Sequence, residues 1–285
     1  MNSLPNIEQA QLRAFERFKA AGISSAGIDA QVLLCHAIEQ SRTYLFTWSD
    51  KLLTEAQSEA YELAISRREK GEPVAYIVGT REFWSLPLKV SPHTLIPRPD
   101  TERLVELALE KMGDQPGTGL DLGTGTGAIA LALASERKDF QMLGVDLQPQ
   151  AQALATENAQ ALNITNASFL QGSWFDPIAD GDKFDIIVSN PPYIDEQDPH
   201  LAQGDVRFEP DSALIAKENG LADLRYIAEH GRTYLNEGAW LLMEHGYDQG
   251  QATRDILLGL GFQQVTTEQD YAGIDRVTLG QYKGL

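Results

Sequence analysis

Cysteine is nearly absent from this chain of 285 residues: Cys35 stands alone. A single thiol cannot close an intramolecular disulfide, and it rules out a structural zinc site built on cysteines. Long apolar runs are also missing. No stretch approaches the roughly 18 apolar residues of a membrane-spanning helix, and the first thirty residues lack the apolar core of a signal peptide. Positive charge is the third scarcity. Lys and Arg total 23 against 41 Asp and Glu, a net charge of −18. A duplex-binding surface needs clustered cations against phosphates, and an acidic chain is repelled at long range, so nucleic acid is disfavoured as the main partner. What remains is a globular composition, 42% hydrophobic with 8% aromatic residues, enough to bury a sizeable core. The length suits one large domain or two modest ones, and the reading is of a soluble, cytoplasmic protein.

The first seventy residues read as helices. Asn6 and Gln9 stand at capping-box spacing ahead of Ile7, Ala10, Ala14, Phe15 and Phe18 on one face, with Gly22 as the stop. A second run carries Ile28, Val32, Leu33, Cys35 and Ile38, and a third opens at Thr54 with Gln57 three residues on and ends at Gly71. Four or five helices make a small bundle. Charge sets this part off: residues 1–72 hold 8 basic and 10 acidic residues, net −2, which leaves −16 for the rest. Arg81–Trp84 and Leu88–Val90, around Ser85-Leu86-Pro87, read as a hairpin within a linker over 73–92. Pro92, Pro97 and Pro99 keep the next segment extended, up to Asp100 as the cap of a helix over Thr101–Met112.

From Gly119 the period changes. Strands are expected at Gly119–Gly123, Phe140–Asp146, Ala167–Gln171, Phe184–Ser189, Ala239–Glu244, Phe262–Thr267 and Arg276–Tyr282. Helices are expected at Thr126–Arg137, Pro149–Leu162, Leu221–Leu235 and Gln251–Leu258. This alternation predicts an α/β fold, a parallel, doubly wound, Rossmann-like sheet covered on both faces, over residues 93–285.

Asp121-Leu122-Gly123-Thr124-Gly125-Thr126-Gly127 falls between the first strand of that sheet and its first helix. Glycines there let the backbone turn tightly and approach a ligand at the carboxyl edge of the strands. Gly123, Gly125 and Ala128 also satisfy a dinucleotide pattern, and Asp146 at the next strand end suits any adenosine ribose. Asp121 is the discriminating residue. A carboxylate just before the loop would repel a pyrophosphate but suits a ligand bearing an ammonium and a sulfonium, which is the chemistry of S-adenosylmethionine. Trp174, after the third strand, is placed to wall an adenine.

Asn190-Pro191-Pro192-Tyr193 directly follows the apolar strand ending at Ser189. At average composition such a tetrapeptide arises by chance in roughly one chain of this length in a few hundred. An amide or arylamine nitrogen is a poor nucleophile because its lone pair is delocalised. The Asn190 side-chain oxygen and the Pro191 carbonyl can each accept one hydrogen of an NH2 group and so favour the geometry that aims the lone pair at a methyl donor. Pro191 and Pro192 stiffen the acceptors, and Tyr193 offers a face for stacking on a planar group. Catalysis would then be largely orientation.

With both motifs in place, the chain resembles the PrmC/HemK family of class I S-adenosylmethionine-dependent methyltransferases, which methylate the glutamine amide in the Gly-Gly-Gln loop of peptide-chain release factors. The resemblance runs through Glu72–Gly79, Glu82-Phe83-Trp84, Thr94-Leu95-Ile96-Pro97-Arg98-Pro99-Asp100-Thr101-Glu102, both motifs, Arg207-Phe208-Glu209-Pro210, Glu244-His245-Gly246 and Asp275-Arg276. It implies that Gly123, Thr124, Gly125, Thr126 and Gly127 line the methionine and ribose of the cofactor. Asp146 would then hold the ribose, Trp174 the adenine end, and Asn190 through Tyr193 the glutamine amide, with residues 1–72 as a substrate-docking bundle. No metal is expected. Ser173 stands where relatives often carry an acid. A ribosomal-protein glutamine methyltransferase is the sister alternative, disfavoured by the Pro97–Glu102 segment. An adenine methyltransferase is a third, against which the acidic catalytic part counts.

Overall fold

The computed structural model describes residues 4–284 and divides into two compact units. The helical unit runs to Thr80 and takes in Gln203–Phe208; the second holds Arg81–Ala202 and everything from Glu209 on.

In the helical unit, α1 (Ile7–Ala20), α2 (Ala26–Ile38), α3 (Arg42–Thr47), α4 (Glu55–Glu69) and α5 (Val74–Val78) follow one another. The start of α1 is a reciprocal capping box: Gln9 N–H donates to Asn6 Oδ1 at 2.8 Å and Asn6 N–H donates to Gln9 Oε1 at 3.1 Å. Thr54 and Gln57 repeat the device at α4. Phe18, Leu33, Leu34, Tyr61 and Ile65 fill the core of the bundle, and the buried Tyr61 hydroxyl donates to the Ala30 carbonyl. Arg68, also buried, pairs with Asp29 at 2.8 Å and with Asp205 at 2.9 Å, which fastens the 203–208 segment to the helices.

A hairpin of β1 (Thr80–Phe83) and β2 (Leu86–Lys89) follows. Trp84 and Ser85 both have positive φ, the two-residue turn whose twist suits a hairpin. The turn is thus Trp84-Ser85 and begins one residue before the expected Ser85-Leu86-Pro87, and Pro87 sits in an outer strand that has no need of its missing N–H. α6 (Glu102–Lys111) departs from expectation at its start. Pro99–Thr101 forms a 3-10 turn whose carbonyls take the Glu102 N–H, so Asp100 makes no side-chain cap.

The remaining elements are β3 (Gly117–Leu122), α7 (Ala128–Glu136), β4 (Phe140–Asp146), α8 (Pro149–Ala161), β5 (Ala167–Gln171), β6 (Phe184–Ser189), α9 (Ala222–Gly231), β7 (Leu235–Glu244), α10 (Gly250–Gly259), β8 (Gln263–Gln269) and β9 (Asp275–Gln281). α9 stops four residues short of the expected Leu235, because the chain turns at Thr233 and Leu235 already pairs with Phe184 in the sheet. The seven strands lie in the order β5-β4-β3-β6-β7-β9-β8. β3 to β7 pair parallel, as the alternation with helices predicts, and β8 runs in the same direction. β9 runs antiparallel to β7 and β8, because the short turn between β8 and β9 forces that pair antiparallel. Side chains alternate along β6: Ile186 and Val188 enter the core shared with α6 and α7, while Ile187 enters the core shared with α9 and α10. The sheet is thus buried on both faces, and ligands are left its carboxyl edge.

Candidate active site

The order of the strands fixes where that edge opens. From β3 the chain builds outward through β4 and β5, then returns to place β6 on the other side of β3. The crevice at this switch point receives the loop after β3 and the loop after β6, which are the two motifs singled out above. A cavity of about 340 Å³ lies there. Gly123, Thr124, Gly125, Thr126, Asp146, Trp174, Asn190 and Pro192 line it; Gly127, Pro191 and Tyr193 do not.

Gly123, Gly125 and Gly127 all have left-handed φ, of 72°, 55° and 82°. Their surroundings differ. A Cβ on Gly125 would meet nothing within 4 Å, so the loop leaves open space on that side. A Cβ on Gly127 would stand 3.1 Å from Ala155, Leu131 and Phe169, so this glycine serves close packing of α7. A Cβ on Gly123 would lie 3.6 Å from the Trp174 ring and 3.9 Å from the Asn190 carbonyl oxygen, which brings three expected residues to one point. Asp146 braces the loop: Oδ2 accepts from Gly125 N–H and Oδ1 from Gln148 N–H. Burial pushes its pKa up, and the two N–H donors oppose the shift.

Asp121 is not on the cavity wall. It is wholly buried beneath the loop, where Oδ2 accepts from the Thr124 hydroxyl at 2.6 Å and from Ala130 N–H at 3.2 Å. Burial pushes it up to about 7, against those two hydrogen bonds. Asp121 is therefore not placed for the direct pairing with a ligand ammonium read from its sequence position; Thr124, to which it is hydrogen-bonded, does reach the cavity.

The second motif is anchored at both ends. Before it, the buried Ser189 hydroxyl donates to the Leu122 carbonyl at 2.7 Å and ties the end of β6 to β3. Asn190 Nδ2 donates to the Thr101 hydroxyl at 3.2 Å. The Tyr193 hydroxyl donates to the buried Glu244 Oε1 at 3.3 Å, and burial pushes the tyrosine pKa up. Its backbone is clamped as well: Gln249 Nε2 donates to the Tyr193 carbonyl at 3.0 Å, and Gly220, with φ of 82°, packs so closely that any Cβ would overlap that oxygen. Ile194 then pairs with Leu214 and Ala216, which carries Ser212, Ala213 and Ile215 to the cavity.

Those last residues, with His93, Gln148 and Asp223, are wall residues that the sequence reading passed over, while Leu95 falls in the segment that carries the resemblance. The signal for His93 was present, since it follows Pro92 within the proline-rich segment; nothing local marks 212–215 or Asp223. Glu209 supports the same wall from behind. Fully buried, it accepts from Ile96 N–H at 3.0 Å and from the Arg98 guanidinium, and so fixes the segment that carries Leu95 and Pro97.

Comparison with known proteins agrees with this arrangement. Residues 9–79 match the family model of the PrmC N-terminal domain and residues 115–253 that of a methyltransferase domain. A release factor glutamine methyltransferase of Vibrio cholerae is 63% identical, covering 97% of this chain and 97% of that protein. The protein of the same name in Escherichia coli is 54% identical over 89% of this chain and 91% of its own length. Among solved structures, a methyltransferase from Pyrococcus furiosus superposes with a TM-score of 0.54 at 17% identity, covering 77% of this chain and 98% of that one, which speaks to the fold alone. At such identity over nearly the whole length, the chain belongs to the release factor glutamine methyltransferase family.

Proposed function

We propose that this protein binds S-adenosylmethionine in the switch-point cavity and methylates the side-chain amide of the Gly-Gly-Gln glutamine of peptide-chain release factors in the cytoplasm. The 63% identity to a release factor glutamine methyltransferase carries the choice of substrate. The residues present fit the cofactor. Open space beside Gly125, an acid at the end of β4 and an indole over Gly123 make a cradle for an amino-acid-bearing nucleoside. When bound, S-adenosylmethionine supplies a methyl group on a positively charged sulfur.

The protein's own part is positioning. Asp146 holds the ribose hydroxyls with the lone pairs left over from its two N–H partners. Trp174 walls the adenine, and the glycine loop from Gly123 to Gly127 shapes the methionine end. Because Asn190 Nδ2 is taken by Thr101, Oδ1 is the atom free to accept from the substrate NH2; the Pro191 carbonyl accepts its other hydrogen. Pro192 lies against the planar amide, and Tyr193, held on Glu244, keeps the turn rigid. Held this way, the nitrogen lone pair would be presented to the methyl group that S-adenosylmethionine supplies; forming the N–C bond would break the methyl's bond to sulfur, leave S-adenosylhomocysteine and pass one amide proton to solvent. The helical bundle docks the body of the release factor. It exposes Leu12, Phe46, Trp48, Leu52 and Leu63, apolar side chains of the kind that protein partners cover. The direct test incubates the protein with labelled S-adenosylmethionine and purified release factor. Mass spectrometry should then find one added methyl on the glutamine of the Gly-Gly-Gln peptide; a label elsewhere, or none, removes the reading.

A further inference from the structure

Asp223 is an acid on the cavity wall that the proposed reaction leaves unused. It stands in the first turn of α9, half-buried. Among the described residues its carboxylate accepts no hydrogen bond and pairs with no cation. Asp146, the other acid on that wall, is held by two backbone N–H groups. For Asp223, burial alone raises the pKa, with no donor or positive charge to oppose it. A carboxylate drawn partly out of water with nothing to bond costs the fold stability until a ligand supplies the donor. The helix dipole favours an acid in a first turn, but it does not require that acid to line a cavity.

The packing of α9 says which part of the cofactor would supply that donor. Leu224 and Ile227 enter the apolar cluster against which Trp174 packs, and a Cβ on Gly231 would stand 3.6 Å from the Phe175 ring. The helix therefore lies along the loop that follows β5, and Ser173 and Trp174 of that loop share the cavity wall with Asp223. This is the end of the cavity assigned above to adenine. The ring nitrogens of adenine accept hydrogen bonds, and its exocyclic 6-amine donates. An ionised carboxylate only accepts, so the amine is the polar group of the base that suits it. We propose that Asp223 reads the base of the cofactor: it accepts a hydrogen of the adenine 6-amine and so selects an aminopurine. This rests on the reading of the cavity as the S-adenosylmethionine site.

The test is a cycle of binding titrations with two probes, S-adenosylhomocysteine and its analogue carrying hydrogen in place of the 6-amine. Wild type should bind the analogue on the order of 10-fold more weakly, the scale of one hydrogen bond to a charged group. Asp223→Ala should bind S-adenosylhomocysteine weaker by a similar factor and lose nothing further with the analogue. Asp223→Asn keeps the shape and adds an NH2, so it should bind S-inosylhomocysteine, whose base carries a 6-oxygen, more tightly than wild type does. That gain guards against reading a folding defect as a lost contact. If Asp223→Ala weakens both probes by the same factor, the residue shapes the wall without reading the base. Wild-type affinity for S-adenosylhomocysteine in Asp223→Ala would show that the acid does not touch the ligand. Either result overturns the proposal and leaves the site in place. Failure of the wild-type protein to bind S-adenosylhomocysteine would instead overturn the reading on which it rests.

Discussion

Asp146, the last residue of β4, accepts the backbone N–H of Gly125 at 2.8 Å across 21 residues of sequence. The bond holds the glycine loop open beside an acid that has lone pairs to spare, and it yields the first prediction. S-adenosylmethionine should raise the melting temperature, since at a hundred times its Kd a ligand stabilises the fold by about 2.7 kcal/mol. Gly125→Val should abolish that shift. Its side chain would fill the open space beside the loop, and φ of 55° is a conformation a β-branched residue resists. A shift of wild-type size in the variant would place the ligand elsewhere.

Asn190→Ala should leave S-adenosylmethionine affinity largely intact and cut turnover by about a hundredfold or more, as loss of one preorganised polar contact does. Single-turnover assays with bound cofactor separate the two effects. Wild-type single-turnover rates would remove the paired-acceptor mechanism.

Gly220 tests whether the backbone around Tyr193 must be held where it is. An alanine there meets the cost of left-handed φ, roughly 1–2 kcal/mol, and its Cβ would overlap the Tyr193 carbonyl. Gly220→Ala should lower the melting temperature and depress turnover together. Gly113→Ala, also at positive φ but with open space at its Cβ, should show the strain without the catalytic loss. Equal turnover in the two variants would show that Tyr193 tolerates displacement.

Asp121 gives a pH signature. Its carboxyl is raised from 3.8 to about 7 in the fold, mainly by burial, so the folded state holds its proton more tightly than the unfolded chain. The stability this contributes is fully present below about pH 3.8 and is lost as pH rises through about 7. Unfolding free energy from denaturant titrations without ligand should therefore fall more steeply between pH 4 and 7 in wild type than in Asp121→Asn, by on the order of a few kcal/mol over the interval. Parallel profiles would mean that Asp121 titrates normally. Glu244, raised to about 7 by burial, adds a slope of the same sign in both proteins.

Much of this was legible in the sequence, and the reasons are local. Helix starts at Asn6 and Thr54 were readable because a capping box involves residues three apart, and the switch-point loops because glycines and prolines mark backbone geometry directly. Strands were readable wherever burial on both faces made the apolar run continuous, as in Phe184–Ser189. What stayed hidden depends on contacts between distant segments. The antiparallel insertion of β9 beside β7 is set by a turn and by pairing, not by residue pattern. The placement of Asp121 was misjudged because proximity to a glycine loop in sequence says nothing of which side of the strand end the carboxylate takes. Thr101 carried no local sign of its bond to a residue 89 positions away.

The last prediction concerns the bundle. A glutamine side chain offers little surface, so selection of a release factor must draw on contacts far from the methyl group. Phe46 and Trp48, 72% and 52% exposed, lie at the end of α3 in a unit with almost no net charge. Such side chains cost little to remove from the free protein and much to remove from an interface. Phe46→Ser combined with Trp48→Ser should leave the melting temperature within a few degrees and the affinity for S-adenosylmethionine unchanged, while raising KM for full-length release factor about tenfold or more. A short Gly-Gly-Gln peptide, which lacks the body of the release factor, should be an equally weak substrate for both proteins. An unchanged KM for the full-length factor would show that this face is not where the substrate docks, and an equal loss with the peptide would point instead to damage at the cavity.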